Sequence, residues 1–167
     1  MKRKLIISGH SNGLGRALAE YYLRWGDEVL GLSRRRVAVE SSEKFQQHII
    51  DLSDSAAVAA LLSDGLIADF MHAADEVVLI NNAGTVQPSA MLGRQNDAEI
   101  ITSAALNITA PLLLANEVCR QKPANAVLKI VHISSGAGRN AYPGWSVYGA
   151  GKAALDHHAR CVAAEQL

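Results

Sequence analysis

The chain has 167 residues, 49% hydrophobic and 19% charged, and its 16 basic side chains balance 16 acidic ones. This length and composition are typical of one soluble α/β domain spanning residues 1–167. The zero net charge argues against a nucleic-acid surface, and no uninterrupted apolar run reaches the ~20 residues of a membrane span. Cys119 and Cys161 lie far apart without metal-ligand spacing, so we expect no metal site and a reducing, cytoplasmic location.

Short apolar runs alternate along the chain with longer segments of helical periodicity, as in repeated strand–helix–strand units. Strands are predicted at 5–8, 28–33, 45–50, 76–81 and 126–134. Helices are predicted at 13–25, from 54 to about 72, at 97–121 and at 147–166. Right-handed crossovers and a reversal after the third strand give a Rossmann-fold three-layer α/β/α sandwich, with a parallel sheet in the order 3-2-1-4-5. Ligands bind such sheets at the carboxyl ends of strands one and four.

A glycine-rich loop joins the first predicted strand to the first helix. Its glycines permit a tight turn and let the backbone approach a pyrophosphate, although many such loops carry glycine for steric reasons alone. The N-terminus of the following helix offers free N–H groups to phosphates. Arg16 after the last glycine excludes a P-loop, which requires Gly-Lys-Ser/Thr there. The predicted cofactor contacts in this loop are Gly9, Ser11, Asn12, Gly13, Leu14 and Gly15.

The residues after the second strand indicate which dinucleotide binds. An acidic side chain there would bind the ribose 2′-hydroxyl of NAD, whereas this chain has Ser33 followed by Arg34, Arg35 and Arg36. A guanidinium can bind a phosphate through two parallel hydrogen bonds. We therefore predict NADP(H) in preference to NAD(H), with Arg34 as the main ligand of the 2′-phosphate and Ser33 and Arg35 assisting. The alternative is a solvated basic loop.

Two further turns follow strands at the same edge of the predicted sheet. Asp51 and Leu52 come after the third strand, where contact with the adenine and a simple turn or cap are equally compatible with the sequence. An Asn-Asn-Ala-Gly segment after the fourth strand lies across the crevice from the glycine loop. Asn and Gly also favour ordinary turns, but this pairing favours cofactor contact. The residues concerned are Asn82, Ala83 and Gly84.

A tyrosine and a lysine stand at the start of the last predicted helix. Tyr148 and Lys152 are four residues apart and share a helix face, where an ammonium beside a phenol favours the phenolate. Ser135, at the end of the fifth strand, can donate to a carbonyl oxygen. Asn107 has apolar neighbours and precedes Pro111 by four residues, so its carbonyl loses its helical donor. A helix face, a cap or an exposed polar residue would explain each feature alone, but together they predict a catalytic site.

In order and spacing, these motifs resemble the short-chain dehydrogenase/reductase family over the whole chain. Residues 133–140 and 144–148 resemble the sepiapterin reductase and benzil reductase branch more closely. The resemblance implies NADPH-dependent reduction of a carbonyl, in a ketone, a diketone or a pterin-like side chain, to an alcohol. It implies that Tyr148 protonates the oxygen, Ser135 polarises it and Asn107 fixes a water. Lys152 would favour the phenolate and hold the nicotinamide ribose, which places Tyr148 and Lys152 in the cofactor site as well.

The sequence departs from the family at its C-terminal end. Family members usually add a sixth strand, a helical segment over the substrate and a seventh strand, none of which is present here. This leaves the edge of the fifth strand open and favours a fragment or truncated product. An inactive nucleotide-binding or oligomerisation module therefore stands as the alternative function. The resemblance also implies a homodimer or homotetramer formed through the two long C-terminal helices.

Two features near the catalytic helix are left without a catalytic role. Trp145 is equally compatible with substrate contact and with packing. His157 and His158 are adjacent, so they point in different directions, and we assign them with Cys161 to the helix surface or a subunit contact.

Overall fold

The computed structural model describes residues 1–38 and 43–165. Within this part of the chain, five parallel strands form one sheet in the order β3-β2-β1-β4-β5, which confirms the predicted order. The strands are β1 Arg3–Ser8, β2 Glu28–Ser33, β3 Phe45–Ile49, β4 Glu76–Asn81 and β5 Val127–His132. Every residue of β4 is buried, because helices cover both faces of a parallel sheet.

Helices pack on both faces of the sheet. They are α1 Gly13–Arg24, α2 Ser55–Ser63, α3 Leu66–Met71, α4 Asp97–Ala104, α5 Ala110–Gln121 and α6 Ser146–Ala164. Alternate strand residues face opposite sides, so Leu5 and Ile7 of β1 pack with α1, whereas Ile6 packs with α2, α3 and α5. The result is the predicted three-layer α/β/α arrangement.

The predicted helix from 54 to about 72 is two helices. Asp54 caps α2, since its carboxylate accepts hydrogen bonds from the amides of Ala56 and Ala57. Gly65 then takes a left-handed φ of 82° and separates α2 from α3. A glycine in this conformation ends a helix at little steric cost, and an uninterrupted helix was therefore the wrong interpretation.

The predicted helix 97–121 contains a π-helical turn, Ala105–Thr109, between α4 and α5. The amide of Ala110 donates to the carbonyl of Ala105, one residue further back than in an α-helix. Pro111 follows in the first turn of α5, where the missing N–H costs little. The proline thus coincides with a change of hydrogen-bond register in the helix.

The stretch Asp97–Gln121 is long and apolar enough to cross a membrane, judged by length and composition alone. In this fold it packs against β4, β5 and α6. Its buried face carries the polar side chains of Ser103, Asn107 and Glu117. Packing in the protein interior therefore accounts for part of its apolar composition.

Other boundaries differ from the prediction by a few residues. Ser135 does not end β5 but lies three residues beyond its last residue, His132, because the chain turns there into a short 3₁₀ turn, Gly136–Gly138. Within the described residues β5 pairs only with β4. Helix α6 begins one residue earlier than predicted, and the predicted end at Gln166 lies outside the described residues.

Candidate active site

A cleft of about 610 Å³ opens at the carboxyl ends of β1 and β4, where the sheet order reverses. It is lined by these predicted cofactor contacts: Gly9, Ser11, Asn12, Gly13, Leu14, Ser33, Arg34, Arg35, Asp51, Leu52, Asn82, Ala83 and Gly84. Gly15 is buried and does not line the cleft; a Cβ there would collide with the carbonyl oxygen of Gly9. Its role is to let α1 pack closely against the glycine loop.

The N-terminus of α1 is available to an anion. Asn12 has the extended N-cap conformation, yet its side chain makes no capping hydrogen bond, and the first turn holds no acidic residue. The first N–H groups of the helix therefore keep their capacity to bind phosphate oxygens. At Gly13, with φ of 52°, a Cβ would meet nothing within 4 Å, so the loop surface is open. The pyrophosphate of a dinucleotide fits this arrangement.

Hydrogen bonds tie the glycine loop to the segment after β4. The hydroxyl oxygen of Ser8 accepts from the amides of Asn82 and Ala83 at 3.0 and 3.1 Å. In return, Nδ2 of Asn82 donates to the carbonyls of Ser8 and Gly9 at 3.1 and 3.2 Å. The Asn82 side chain therefore positions the two walls of the cleft relative to each other.

The turn after β2 brings two guanidinium groups to the cleft. Arg34 and Arg35 are exposed there, while the buried hydroxyl of Ser33 donates to the carbonyl of Arg35 at 2.8 Å. Hydrogen bonds from Ser53 lower the pKa of Asp51, and the nearby charge of Arg34 contributes in the same direction. The turn thus presents positive charge at the wall formed by β2 and β3, where this fold binds the adenosine ribose.

Lys152 is buried beside Tyr148. Lys152 is only 5% exposed, and its Nζ donates to the carbonyl of Ile133 at 2.7 Å. The ammonium lies 5.8 Å from the centroid of the Tyr148 ring. Burial lowers the pKa of Lys152, and the charge of Asp156 acts in the opposite direction. At this distance the ammonium lies over the Tyr148 ring in a cation–π contact.

Asn107 lies in the π turn and is 1% exposed. Its Oδ1 accepts from the amide of Thr85 at 2.9 Å, and Nδ2 donates to the carbonyl of Thr85 at 2.8 Å and to Oγ of Ser103 at 3.0 Å. Gly84 packs over this group: a Cβ there would lie 3.1 Å from Oδ1 of Asn107 and 3.7 Å from Nζ of Lys152. The structure thus brings Asn107 and Lys152 together beneath the segment after β4.

Ser135 caps the 3₁₀ turn after β5. Its hydroxyl oxygen accepts from the amide of Ala137 at 3.2 Å. Because the hydroxyl acts there as an acceptor, its proton can still be donated to a ligand. Ser135 can therefore cap the 3₁₀ turn and still donate a hydrogen bond to a substrate oxygen.

An aromatic cluster stands beside Tyr148. The ring centroid of Trp145 is 5.6 Å from that of Tyr148 and 5.5 Å from that of Tyr142. The indole N–H of Trp145 donates to Oγ of Ser89 at 3.0 Å, and the amide of Ala90 donates to the carbonyl of Gly144 at 3.1 Å. These bonds hold the loop before α6 against the segment after β4.

Sequence reasoning missed several residues of the site. Ala98, Thr102 and Leu106 line the cleft at four-residue spacing, which marks one helix face and could have been recognised.

His10 and Gln47 were also missed: the imidazole is fully buried, with Nε2 3.0 Å from Oε1 of Gln47. Burial lowers the pKa of His10, so this ring is neutral near pH 7. No local signal pairs two residues so far apart in sequence.

Across residues 1–38 and 43–165, no three His, Cys, Asp or Glu side chains converge as in a metal site. The two adjacent histidines of α6 do diverge. His158 faces the sheet, with Nδ1 3.1 Å from Nε2 of His132, whereas the exposed His157 lies beside Arg160.

The short chain dehydrogenase family model matches residues 3–167. A benzil reductase of Bacillus subtilis is 38% identical over 96% of this chain and 66% of its own length. A sepiapterin reductase of Xenopus tropicalis is 30% identical over 96% of this chain and 68% of its own. The chain thus spans about two thirds of the length of these relatives, and the branch suggested by its motifs is confirmed.

Solved structures give the same assignment. A short-chain dehydrogenase/reductase from Burkholderia vietnamiensis is 45% identical with a TM-score of 0.95, covering 97% of this chain and 76% of that one. A 4-hydroxyisoleucine dehydrogenase complexed with NADH is 27% identical (TM-score 0.81; 98% and 69% covered). A metagenomic short-chain oxidoreductase in complex with NADP is 28% identical (TM-score 0.82; 98% and 75% covered). By motifs, fold and similarity, this chain belongs to the short-chain dehydrogenase family.

Proposed function

We propose that this chain carries the cofactor-binding and catalytic residues of an NADPH-dependent carbonyl reductase. The observation that carries the proposal is the buried Lys152 ammonium beside Tyr148, packed with Asn107 under one wall of an open cleft. A buried ammonium beside a tyrosine suits acid–base chemistry, in addition to its hydrogen bond to the carbonyl of Ile133. The relatives named for benzil and sepiapterin reduction support an aromatic diketone or a pterin-like side chain as the substrate class.

The residues of the cleft suit NADPH. When bound, this cofactor supplies the hydride. The N-terminus of α1 and the glycine loop would hold the pyrophosphate, because the Asn12 side chain does not cap the first N–H groups of the helix. Arg34 and Arg35 would hold the 2′-phosphate, since they line the cleft and no acidic side chain ends β2. The proposed preference for NADPH over NADH depends on these two guanidinium groups.

In the proposed reaction, the carbonyl carbon receives the hydride and the carbonyl oxygen receives a proton from Tyr148. The hydroxyl of Ser135 donates a hydrogen bond to the same oxygen and stabilises the charge that develops on it. Lys152 stabilises the phenolate that Tyr148 becomes after giving up its proton. Asn107 holds Thr85, and with it the segment after β4, at the base of the site. The product is an alcohol.

The intact set of Asn107, Ser135, Tyr148 and Lys152 favours an enzyme over the alternative of an inactive nucleotide-binding or oligomerisation module.

We also propose a homo-oligomer formed through Asp97–Gln121 and α6, supported by Ile101, which is 70% exposed on α4. A cytoplasmic location is proposed as well, supported by the two free cysteines.

The function is tested by replacing the proposed acid. We expect Tyr148→Phe to lower kcat/KM for benzil reduction at least ~100-fold, because only the proton donor is lost, while NADPH binds within about twofold of the unmodified protein. Activity is followed as NADPH consumption, and binding is titrated for NADPH and NADH in parallel. Tyr21→Phe, at an exposed tyrosine of α1, is the matched control and retains full activity.

Two outcomes would contradict the proposal. Undiminished reduction by the Tyr148→Phe protein would exclude the tyrosine as the acid. NADH binding as tightly as NADPH would exclude the 2′-phosphate site at Arg34 and Arg35.

A further inference from the structure

His10 belongs to the glycine loop but its side chain does not line the cleft. It is fully buried, edge-on to Phe45 with ring centroids 5.5 Å apart. The ring also covers Gly31 in the middle of β2, where a Cβ would lie 2.5 Å from the imidazole. The space for this ring therefore exists because residue 31 has no side chain. A buried polar ring of this kind requires a hydrogen-bond partner.

Gln47 of β3 is that partner. Its Oε1 lies 3.0 Å from Nε2 of His10 and also accepts from the amide of Val37 at 2.9 Å, while its Nε2 donates to the carbonyl of Val37 at 3.0 Å. The two backbone contacts fix the orientation of the amide, so its oxygen faces the imidazole and His10 donates from Nε2. Both acceptor sites of the Gln47 oxygen are then occupied. A continuous path of hydrogen bonds joins the glycine loop to Val37.

Val37 ends the turn that carries the arginines. At the start of this turn, the Ser33 hydroxyl donates to the carbonyl of Arg35 at 2.8 Å. At its end, Gln47 holds both backbone groups of Val37. Arg34 and Arg35 lie between these two fixed points, with their exposed side chains at the cleft. Preorganising the turn lowers the conformational entropy that a ligand would otherwise have to remove.

We propose that His10 is a positioning residue for cofactor selection: through Gln47 and Val37 it holds the arginine turn in place to bind the 2′-phosphate. The inference rests on the proposed use of NADPH. His10 acts through other residues and touches neither cofactor nor substrate. Its loss therefore weakens ligands that carry a 2′-phosphate and spares those that do not.

The experiment compares 2′,5′-ADP with 5′-AMP by calorimetry, because these probes differ only in the 2′-phosphate and do not involve the nicotinamide half of the site. His10→Leu and Gln47→Leu are each expected to weaken 2′,5′-ADP about tenfold and 5′-AMP less than about twofold. His10→Gln restores a side-chain N–H near the position of Nε2 and retains most of the affinity. Gln46→Leu, at the exposed neighbour on β3, is the matched control and changes neither probe.

Equal weakening of the two probes, or of neither, overturns the proposal, because the ring would then serve only packing of the glycine loop. Hydrogen exchange of the Val37 amide gives a second measurement that needs no ligand. Faster exchange in the His10→Leu and Gln47→Leu proteins supports the path, and unchanged exchange overturns it. If the unmodified protein binds 2′,5′-ADP no more tightly than 5′-AMP, the proposed NADPH preference fails, and Val37 exchange alone decides whether His10 holds the turn.

Discussion

His132, the last residue of β5, is expected to make the stability of the protein depend on pH. Its Nδ1 lies 3.2 Å from Nδ2 of Asn81, and its Nε2 lies 3.1 Å from Nδ1 of His158. Because Nδ2 of Asn81 is a donor, Nδ1 of the neutral ring accepts and Nε2–H donates to His158. A second proton, on Nδ1, would face the N–H group of Asn81 and not an acceptor. Burial, reinforced by the charges of His158 and Lys152, lowers the pKa of His132 to about 4.

The size of the effect follows from this pKa. The unfolded chain binds a proton at His132 near pH ~6.5, and the folded protein does so only near the lower value. At pH values between these two pKa values, the unfolded state binds more protons than the folded state. The free energy of unfolding therefore falls as the pH falls from about 6.5 to about 4. The full difference is roughly 3 kcal/mol, and partial solvent exposure reduces it to about 2 kcal/mol.

Urea unfolding at about pH 7 and about pH 4 measures this loss. His132→Asn keeps an acceptor towards Asn81 but does not titrate, so we expect it to lose about 2 kcal/mol less than the unmodified protein over this range. Carboxylates that titrate in both proteins cancel in the comparison. His157→Asn, at the exposed neighbour of His158, is the control and follows the unmodified protein. Parallel pH profiles for His132→Asn and the unmodified protein would refute the reasoning.

Two further predictions concern the site itself. Gly84→Ala places a Cβ 3.1 Å from Oδ1 of Asn107 and 3.7 Å from Nζ of Lys152. Steady-state kinetics should therefore show kcat reduced about tenfold, while KM for NADPH stays within about threefold. An unchanged kcat would mean that the contact of Gly84 with these two side chains is not critical. Trp145→Leu removes the ring that packs on Tyr148 and should raise KM for benzil about tenfold without affecting a small aliphatic ketone. Equal loss for both ketones would show that Trp145 only holds its loop.

The sheet could be predicted from sequence because buried parallel strands have a distinctive pattern. The observed bounds of β2 and β4 are the predicted ones to the residue, because each strand is an apolar run that ends in a polar residue. The right-handedness of the crossovers then predicts the strand order. The helices were harder, since apolar periodicity continues across an interruption. Gly65 was a visible signal for the break between α2 and α3, whereas nothing local distinguishes the register of the π turn Ala105–Thr109 from that of an α-helix.

The candidate site was predictable as a set of residues but not as a set of hydrogen bonds. Asn107 was singled out because it is polar among apolar neighbours, yet its side chain is used by Thr85 and Ser103. Ser103 lies one helical turn before Asn107, so helical spacing brings that pair together. Thr85 lies 22 residues before Asn107 in the segment after β4, and sequence spacing contains no information about this contact. His10 shows the same limit, because its partner Gln47 lies 37 residues away.

A site assembled from loops at one sheet edge needs buried polar side chains to hold those loops, in addition to the groups that meet the ligand. Ser8 and Asn82 hold the glycine loop to the segment after β4. Gln47 likewise joins the glycine loop to the arginine turn. These side chains use their hydrogen-bonding capacity inside the protein, which leaves the helix N-terminus and the guanidinium groups available to the phosphates of the proposed cofactor. Substitutions in the first group should therefore change which ligand is preferred through geometry, and substitutions in the second through direct loss of charge.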